Sequence, residues 1–240
     1  MIKLTKSEKP EYLSDEKVAE LTALFQETNE SVWNDKRIKT PLLASSHGKC
    51  AYCETGLTDP GIYMEVEHFK HKSSFPDLVV DWDNLLPSCK RCNGTKSAKD
   101  KLIINPYIND PKMELFFDNY CIFGSTELGN NTESVVDLNE EVLMVKRFKI
   151  CRLAFLTLKE TAAEFKELSK LDHYKRRRFK RILSMAQPSS PYSASVSTII
   201  HSTREYEELK SRFISEGLWT DELERLHVIS LNIALPRRAR

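Results

Sequence analysis

Apolar positions recur at helical spacing in DEKVAELTALFQETN (residues 15–29), where Val18, Leu21, Leu24 and Phe25 share one face and Ser14 stands ready as N-cap. This predicts a packing helix. A second short helix is expected to start at Pro41, a favoured first-turn residue, and to stop near Gly48. From Cys50 to about Lys101 the pattern becomes short and turn-punctuated, as in TGLTDPG, and Ile62, Met64, Val66 and His68 alternate. The stretch reads as two strands followed by a short helix carrying Cys92, Asn93 and Lys96. NPYINDPKMELFFDNYCIF, punctuated by two prolines, reads as an extended, hairpin-forming connection.

Beyond Asn139 the chain turns helical. Phe148, Cys151, Phe155, Leu158, Ala162 and Phe165 fall three and four apart, an apolar stripe that belongs to a core. A basic run, HYKRRRFKRIL, follows, then a Ser- and Pro-rich break, QPSSPYSAS, then helices around Tyr206 to Phe213 and Asp221 to His227. The tail PRRAR is expected to be disordered.

Composition narrows the options. A chain of 240 residues, 40% hydrophobic, suits a small metal-stabilised module joined to a larger helical part. A net charge of +1 supplies no global field toward nucleic acid, so any attraction must come from local patches. There is no apolar leader and no run of about 18 apolar residues, so the expectation is a soluble, cytoplasmic protein with no membrane partner. In such a compartment paired cysteines argue for metal over disulfides. Cys121 and Cys151, without neighbours at ligand spacing, read as small buried hydrophobes.

The remaining cysteines form two Cys-x-x-Cys pairs, Cys50 with Cys53 and Cys89 with Cys92, enclosing residues 54–88. That interval exceeds the about 15–20 residues of a simple zinc ribbon, so something folded is inserted. Four thiolates at about 2.3 Å would close a tetrahedral, structural Zn²⁺ site with no open position for catalysis. The same cross-link would bring Glu67 and His68, at the end of the alternating strand, near Asn93, directly behind Cys92. Glu67 and Asn93 offer oxygen ligands suited to Mg²⁺ or another hard divalent cation. His68 is the natural general base for water attacking phosphorus. In a regular strand successive residues point to opposite faces, so Glu67 and His68 converge only where the strand twists or ends.

Lys70, Lys72, Lys90 and Arg91 flank this site and are candidates for gripping a phosphate backbone. The run Lys175, Arg176, Arg177, Arg178, Lys180 and Arg181 cannot lie on one helical face, since each residue turns about 100°. It suits phosphate binding, a solvated helix end or a docking surface alike.

The segments CAYC, VEHF, DNLL and CKRCNGTK resemble the HNH, or ββα-metal, endonuclease family. The resemblance implies that Glu67 ligates the catalytic cation, His68 is the base and Asn93 is the second protein ligand. It makes Asn84 the middle residue, hydrogen-bonded to backbone, and turns Lys96 toward the substrate phosphate. His71 stands where the wider pattern often has proline, and reads as a solvated loop histidine or a phosphate contact. More narrowly, CAYCE, VEHF, NLLPSCKRCN, NPY and PYSA resemble the HNH proteins that accompany an ATPase in Septu-type and retron-linked anti-phage systems. That implies an ATPase partner and, in the retron-linked case, a reverse transcriptase with its nucleic acid.

The expected fold is α+β: an N-terminal helical segment (1–42), a ββα-metal module with a four-cysteine structural zinc (43–102) and a mainly helical C-terminal region (103–240). The expected function is hydrolysis of nucleic-acid phosphodiesters, DNA or RNA alike. The alternative is a non-catalytic zinc module for nucleic-acid binding or partner docking.

Overall fold

The computed structural model describes residues 1–59, 61–99 and 101–238. It is α+β, with mainly helical parts before and after a small antiparallel sheet. Helix α1 spans Asp15–Thr28, and Ser14 caps it by accepting from Lys17 N. Helix α2, Lys36–Ala44, starts earlier than expected and contains Pro41 rather than beginning there. Its start is set by Asp35, whose carboxylate accepts from Arg37 N at 2.8 Å. Pro41 forgoes one helical bond, offset by burial of its neighbours Ile38 and Leu42.

Strands β1 (Met64–His68) and β2 (Leu85–Cys89) pair antiparallel, with Met64 opposite Cys89 and His68 opposite Leu85. Helix α3, Lys90–Lys96, follows at once, because Cys89 ends the strand and serves as N-cap. Helix α4 (Pro111–Glu114) leads into a hairpin of β3 (Leu115–Asp118) and β4 (Cys121–Gly124). Asn119 and Tyr120 take positive φ at its turn, 45° and 65°, the arrangement that matches the twist of tight two-residue hairpins.

Residues 236–238 of the tail are ordered against this hairpin: Phe117 N donates to Pro236 O at 2.8 Å, and Arg237 bridges Phe117 in parallel. Unpaired strand groups on β3 give the tail partners that its composition did not announce. Ala239 and Arg240 lie outside the described residues.

Helices α5 (Glu127–Val136), α6 (Glu141–Lys166), α7 (His173–Ser184), α8 (Ser193–His201), α9 (Arg204–Ser215) and α10 (Asp221–Ile233) build the rest. The buried face of α6 is Leu143, Arg147, Cys151, Ala154, Leu158, Thr161 and Phe165. Phe148, expected in the core, is 39% exposed. Arg147, fully buried, takes that side instead, donating to Tyr120 O (2.9 Å) and Leu138 O (2.6 Å). Carbonyls left over at the hairpin turn and beyond α5 need a donor more than that position needs a ring.

The Ser- and Pro-rich segment is likewise more than a break. From Ser193 it becomes α8, buried on nearly every side. Small residues let it sit centrally, and its hydroxyls are satisfied by backbone, as when Thr198 Oγ1 donates to Ala194 O at 2.9 Å. In the basic run, Lys175, Arg178 and Lys180 pair with Asp172, Glu164 and Glu222, while Arg177 and Arg181 face solvent. Cys151 is buried; Cys121 is half-buried, its Sγ against Met144 Sδ at 3.3 Å.

One apolar core runs from Met1, Ile2 and Leu4 through the four knuckle cysteines to the C-terminal helices. A second joins Leu21, Phe25, Ile38 and Leu42 to Val66 and Leu85 on the sheet and to Val79 and Val80 in the loop between its strands. Helix α2 therefore packs on β2, and α1 on residues 76–78 of the loop that follows β1. Among the described residues no helix is long and apolar enough to cross a membrane.

Candidate functional site

The first cysteine pair lies in a turn closed by Cys50 N to Thr55 O (2.9 Å) and tied to β2 by Ala51 N to Pro87 O (2.9 Å). The second spans the junction of β2 and α3. All four Sγ atoms are buried and lie within 4.8 Å of one another. A tetrahedron with metal–sulfur bonds of about 2.3 Å has edges of about 3.8 Å, and Cys53 Sγ lies 3.8 Å from Cys89 Sγ. Cys50, Cys53, Cys89 and Cys92 thus fit zinc in donor type, number and spacing.

A cavity of about 450 Å³ is lined by Glu67, His68, His71, Lys72 and Asn93 together with Phe25 of α1 and Asn29, its C-cap. Strand alternation does not separate Glu67 from His68, because β1 ends at His68. Both side chains reach the same cleft.

His68 is 6% exposed. Its Nε2 lies 2.9 Å from Val79 O, and a carbonyl can only accept, so Nε2 carries the proton and Nδ1 is left as the basic nitrogen. Burial lowers the imidazole to about 4, against the pull of the Val79 carbonyl. The ring is neutral at pH 7. Trp33 stands edge-on to it, with ring centres 4.7 Å apart, and the Lys72 ammonium lies over the Trp33 ring at 5.0 Å.

Glu67 is 2% exposed. Its Oε1 lies 2.6 Å from Lys96 Nζ, yet that oxygen has no partner of hydrogen-bonding geometry. The contact is a close, buried ion pair. Burial raises the Glu67 carboxyl to about 7, with Lys96 opposing. A carboxylate and an amide lining one cleft offer oxygen donors that suit a hard cation. Asn93 supplies the amide, and its Nδ2 donates to Glu65 Oε2 at 2.7 Å.

Two expected positions stand elsewhere. Lys96 does not face the cleft: it is 3% exposed, with Nζ on Glu67 and on His68 O (3.0 Å). Burial forces an ammonium to find acceptors, and β1 provides them. Arg91 turns away to the end of α5, donating to Val136 O (2.9 Å) and Asp137 O and pairing with Glu140 at 3.4 Å. The open carbonyls of that helix end attract a guanidinium. Asn84 bonds backbone as the resemblance implies, laced into the loop after β1 and buried outside the cleft lining: its Oδ1 accepts from Lys70 N (2.7 Å) and its Nδ2 donates to Lys70 O and Leu78 O (3.0 Å each). Lys72 does line the cleft, as does His71, whose Nδ1 lies 2.9 Å from Ser73 Oγ.

Sequence reading passed over Glu65, Trp33, Phe25 and Asn29. Glu65 was legible, since a carboxylate two residues before Glu67 shares its strand face. No spacing links Trp33 to His68.

The sequence model of the HNH endonuclease family matches residues 50–99. A Septu protein PtuB from Bacillus thuringiensis is 37% identical over 238 residues, covering 94% of this chain and 92% of the relative. A second Septu protein PtuB, from Bacillus mycoides strain KBAB4, is 25% identical over 252 residues, covering 82% and 85%. With a thiolate cluster, an acidic-His pair and an asparagine inside the matched segment, the chain belongs to the Septu PtuB family and carries an HNH endonuclease domain.

Proposed function

We propose that this protein is a metal-dependent endonuclease that hydrolyses nucleic-acid phosphodiester bonds, the effector of an anti-phage system. The observation that carries the reading is the sharing of one cleft by Glu67, His68 and Asn93, with His68 Nε2 tied to Val79 O. That tie fixes the tautomer, so Nδ1 takes the proton from water as it attacks phosphorus. A Mg²⁺ or similar cation held by Glu67 and Asn93 would neutralise charge on the phosphate and the leaving 3′ oxygen. Lys72 lies at the cleft to meet the backbone phosphate, and Trp33 and Phe25 wall the base from bulk water. Asn84 holds the loop whose Val79 carbonyl orients His68. Zinc held by Cys50, Cys53, Cys89 and Cys92 would clamp the first cysteine turn to the junction of β2 and α3 and would be coordinatively closed to the reaction.

The relatives' Septu membership supports a partner-controlled nuclease. An ATPase subunit is the partner this reading implies, with a reverse transcriptase and its nucleic acid in a retron-linked setting. The deciding experiment incubates the zinc-loaded protein, with and without a co-expressed ATPase, with plasmid DNA and total RNA in Mg²⁺ and Mn²⁺. Cleavage should fall about 100-fold or more in His68→Ala. Cleavage undiminished in that variant overturns the assignment.

A further inference from the structure

Glu65 and Glu67 sit two apart on β1, so the pleat sends both carboxylates to one face. Helix α3 meets them with residues three apart, which also share a face: Lys96 engages Glu67, and Asn93 engages Glu65 through Nδ2 at 2.7 Å. Glu65 is half-buried and makes no ion pair among the described residues.

An amide has one donor end and one acceptor end, whereas an ionised carboxylate only accepts. Beside Glu65 the Asn93 amide can settle one way only. Its NH₂ turns to the carboxylate, and Oδ1 becomes the end presented elsewhere in the cleft. Without Glu65 the amide could flip and offer N–H groups to a cation, which they repel. Glu65 is not itself gathered into a ligand set: among the described residues the four cysteines are the group of three or more His, Cys, Asp or Glu whose ligand atoms converge.

We propose that Glu65 is a positioning residue for the cation site, holding the Asn93 amide so that Oδ1 faces the metal. This rests on the assignment of Glu67 and Asn93 as cation ligands. Partners one step out from a metal ligand typically change affinity by about 10–100-fold when removed.

The test is calorimetric titration of the zinc-loaded, full-length protein with Mn²⁺, with zinc content and melting temperature measured alongside. Glu65→Ala should weaken Mn²⁺ binding about tenfold or more, and Glu65→Gln, whose Oε1 still accepts from Asn93 Nδ2, should stay within about threefold. Asn93→Asp has an oxygen at both ends and needs no orienting, so adding Glu65→Ala to it should cost no affinity. The proposal is overturned if Glu65→Ala binds Mn²⁺ like the parent, if Glu65→Gln is as weak as Glu65→Ala, or if the penalty persists beside Asn93→Asp. Should Glu67→Ala and Asn93→Ala both leave Mn²⁺ binding unchanged, the cation site itself fails and takes this role with it. Loss in those two with full binding in Glu65→Ala removes only the role of Glu65.

Discussion

Ser193 donates from Oγ to Glu54 Oε2 at 2.7 Å, across 139 residues of chain. The contact seats the first turn of α8 on the residue that follows the first thiolate pair. Glu54 Oε2 also takes Lys49 Nζ (2.9 Å) and Ala194 N (3.3 Å), and Oε1 takes the Met1 ammonium (2.6 Å). The knuckle, the start of the chain and the C-terminal helices meet at one buried carboxylate.

Burial pushes the Glu54 carboxyl up, but Lys49 and the Met1 ammonium outweigh it and hold it well below the usual range. A folded value below the unfolded one means that this group stabilises fully above the unfolded pKa of about 4.3 and loses that contribution as pH falls further. Glu54→Ala should cost about 3–5 kcal/mol at pH 7, because it strands buried cations. Its stability should also depend less on pH below about 4 than the parent's, as read by urea melts across pH.

Replacing any one of Cys50, Cys53, Cys89 and Cys92 by Ser should reduce bound zinc from one per chain toward none, measured by elemental analysis. Zinc held by these sulfurs would join the first cysteine turn to the junction of β2 and α3, and thiolate zinc sites supply folding free energy directly. A strong chelator should therefore lower the melting temperature of the parent while leaving the Cys→Ser proteins unchanged.

Lys96 and a cation at the proposed site would compete for the Glu67 carboxylate. Lys96→Met should destabilise the cation-free protein, since a buried Glu67 loses its counter-charge, with about 3–5 kcal/mol as the upper range. The same change should tighten Mn²⁺ binding by removing a positive charge 2.6 Å from Glu67. Melting curves with and without Mn²⁺ check both signs, and weaker Mn²⁺ binding would contradict the competition.

Asn84→Ala removes the bonds to Lys70 and Leu78 and leaves their backbone groups short of partners. A loss of about 1–3 kcal/mol is expected. Hydrogen exchange should quicken across residues 69–84, and cleavage should fall although Asn84 lies outside the cleft lining.

Much of the site was legible because it is local. Cysteines two apart in tight turns, an acidic-His pair ending an alternating strand, and an asparagine one residue past the last cysteine are fixed by covalent spacing and by the periods of strand and helix. The β1–β2–α3 order followed from the same periods. The helix start at Lys36, the burial of α8 and the solvent exposure of Phe148 did not, since each is set by what another segment brings to it.

The sequence by itself determined which chemistries stand in the chain and which of them are neighbours along it: four thiolates, an imidazole, and oxygen donors on a strand and a helix. Only the tertiary structure decided their partners. It turned Lys96 inward to Glu67, sent Arg91 to the end of α5, buried Arg147 against backbone carbonyls and set Trp33 against His68. The physical reason is desolvation. Away from water a charge must find a counter-charge or acceptors, and which ones lie within reach depends on how distant segments pack.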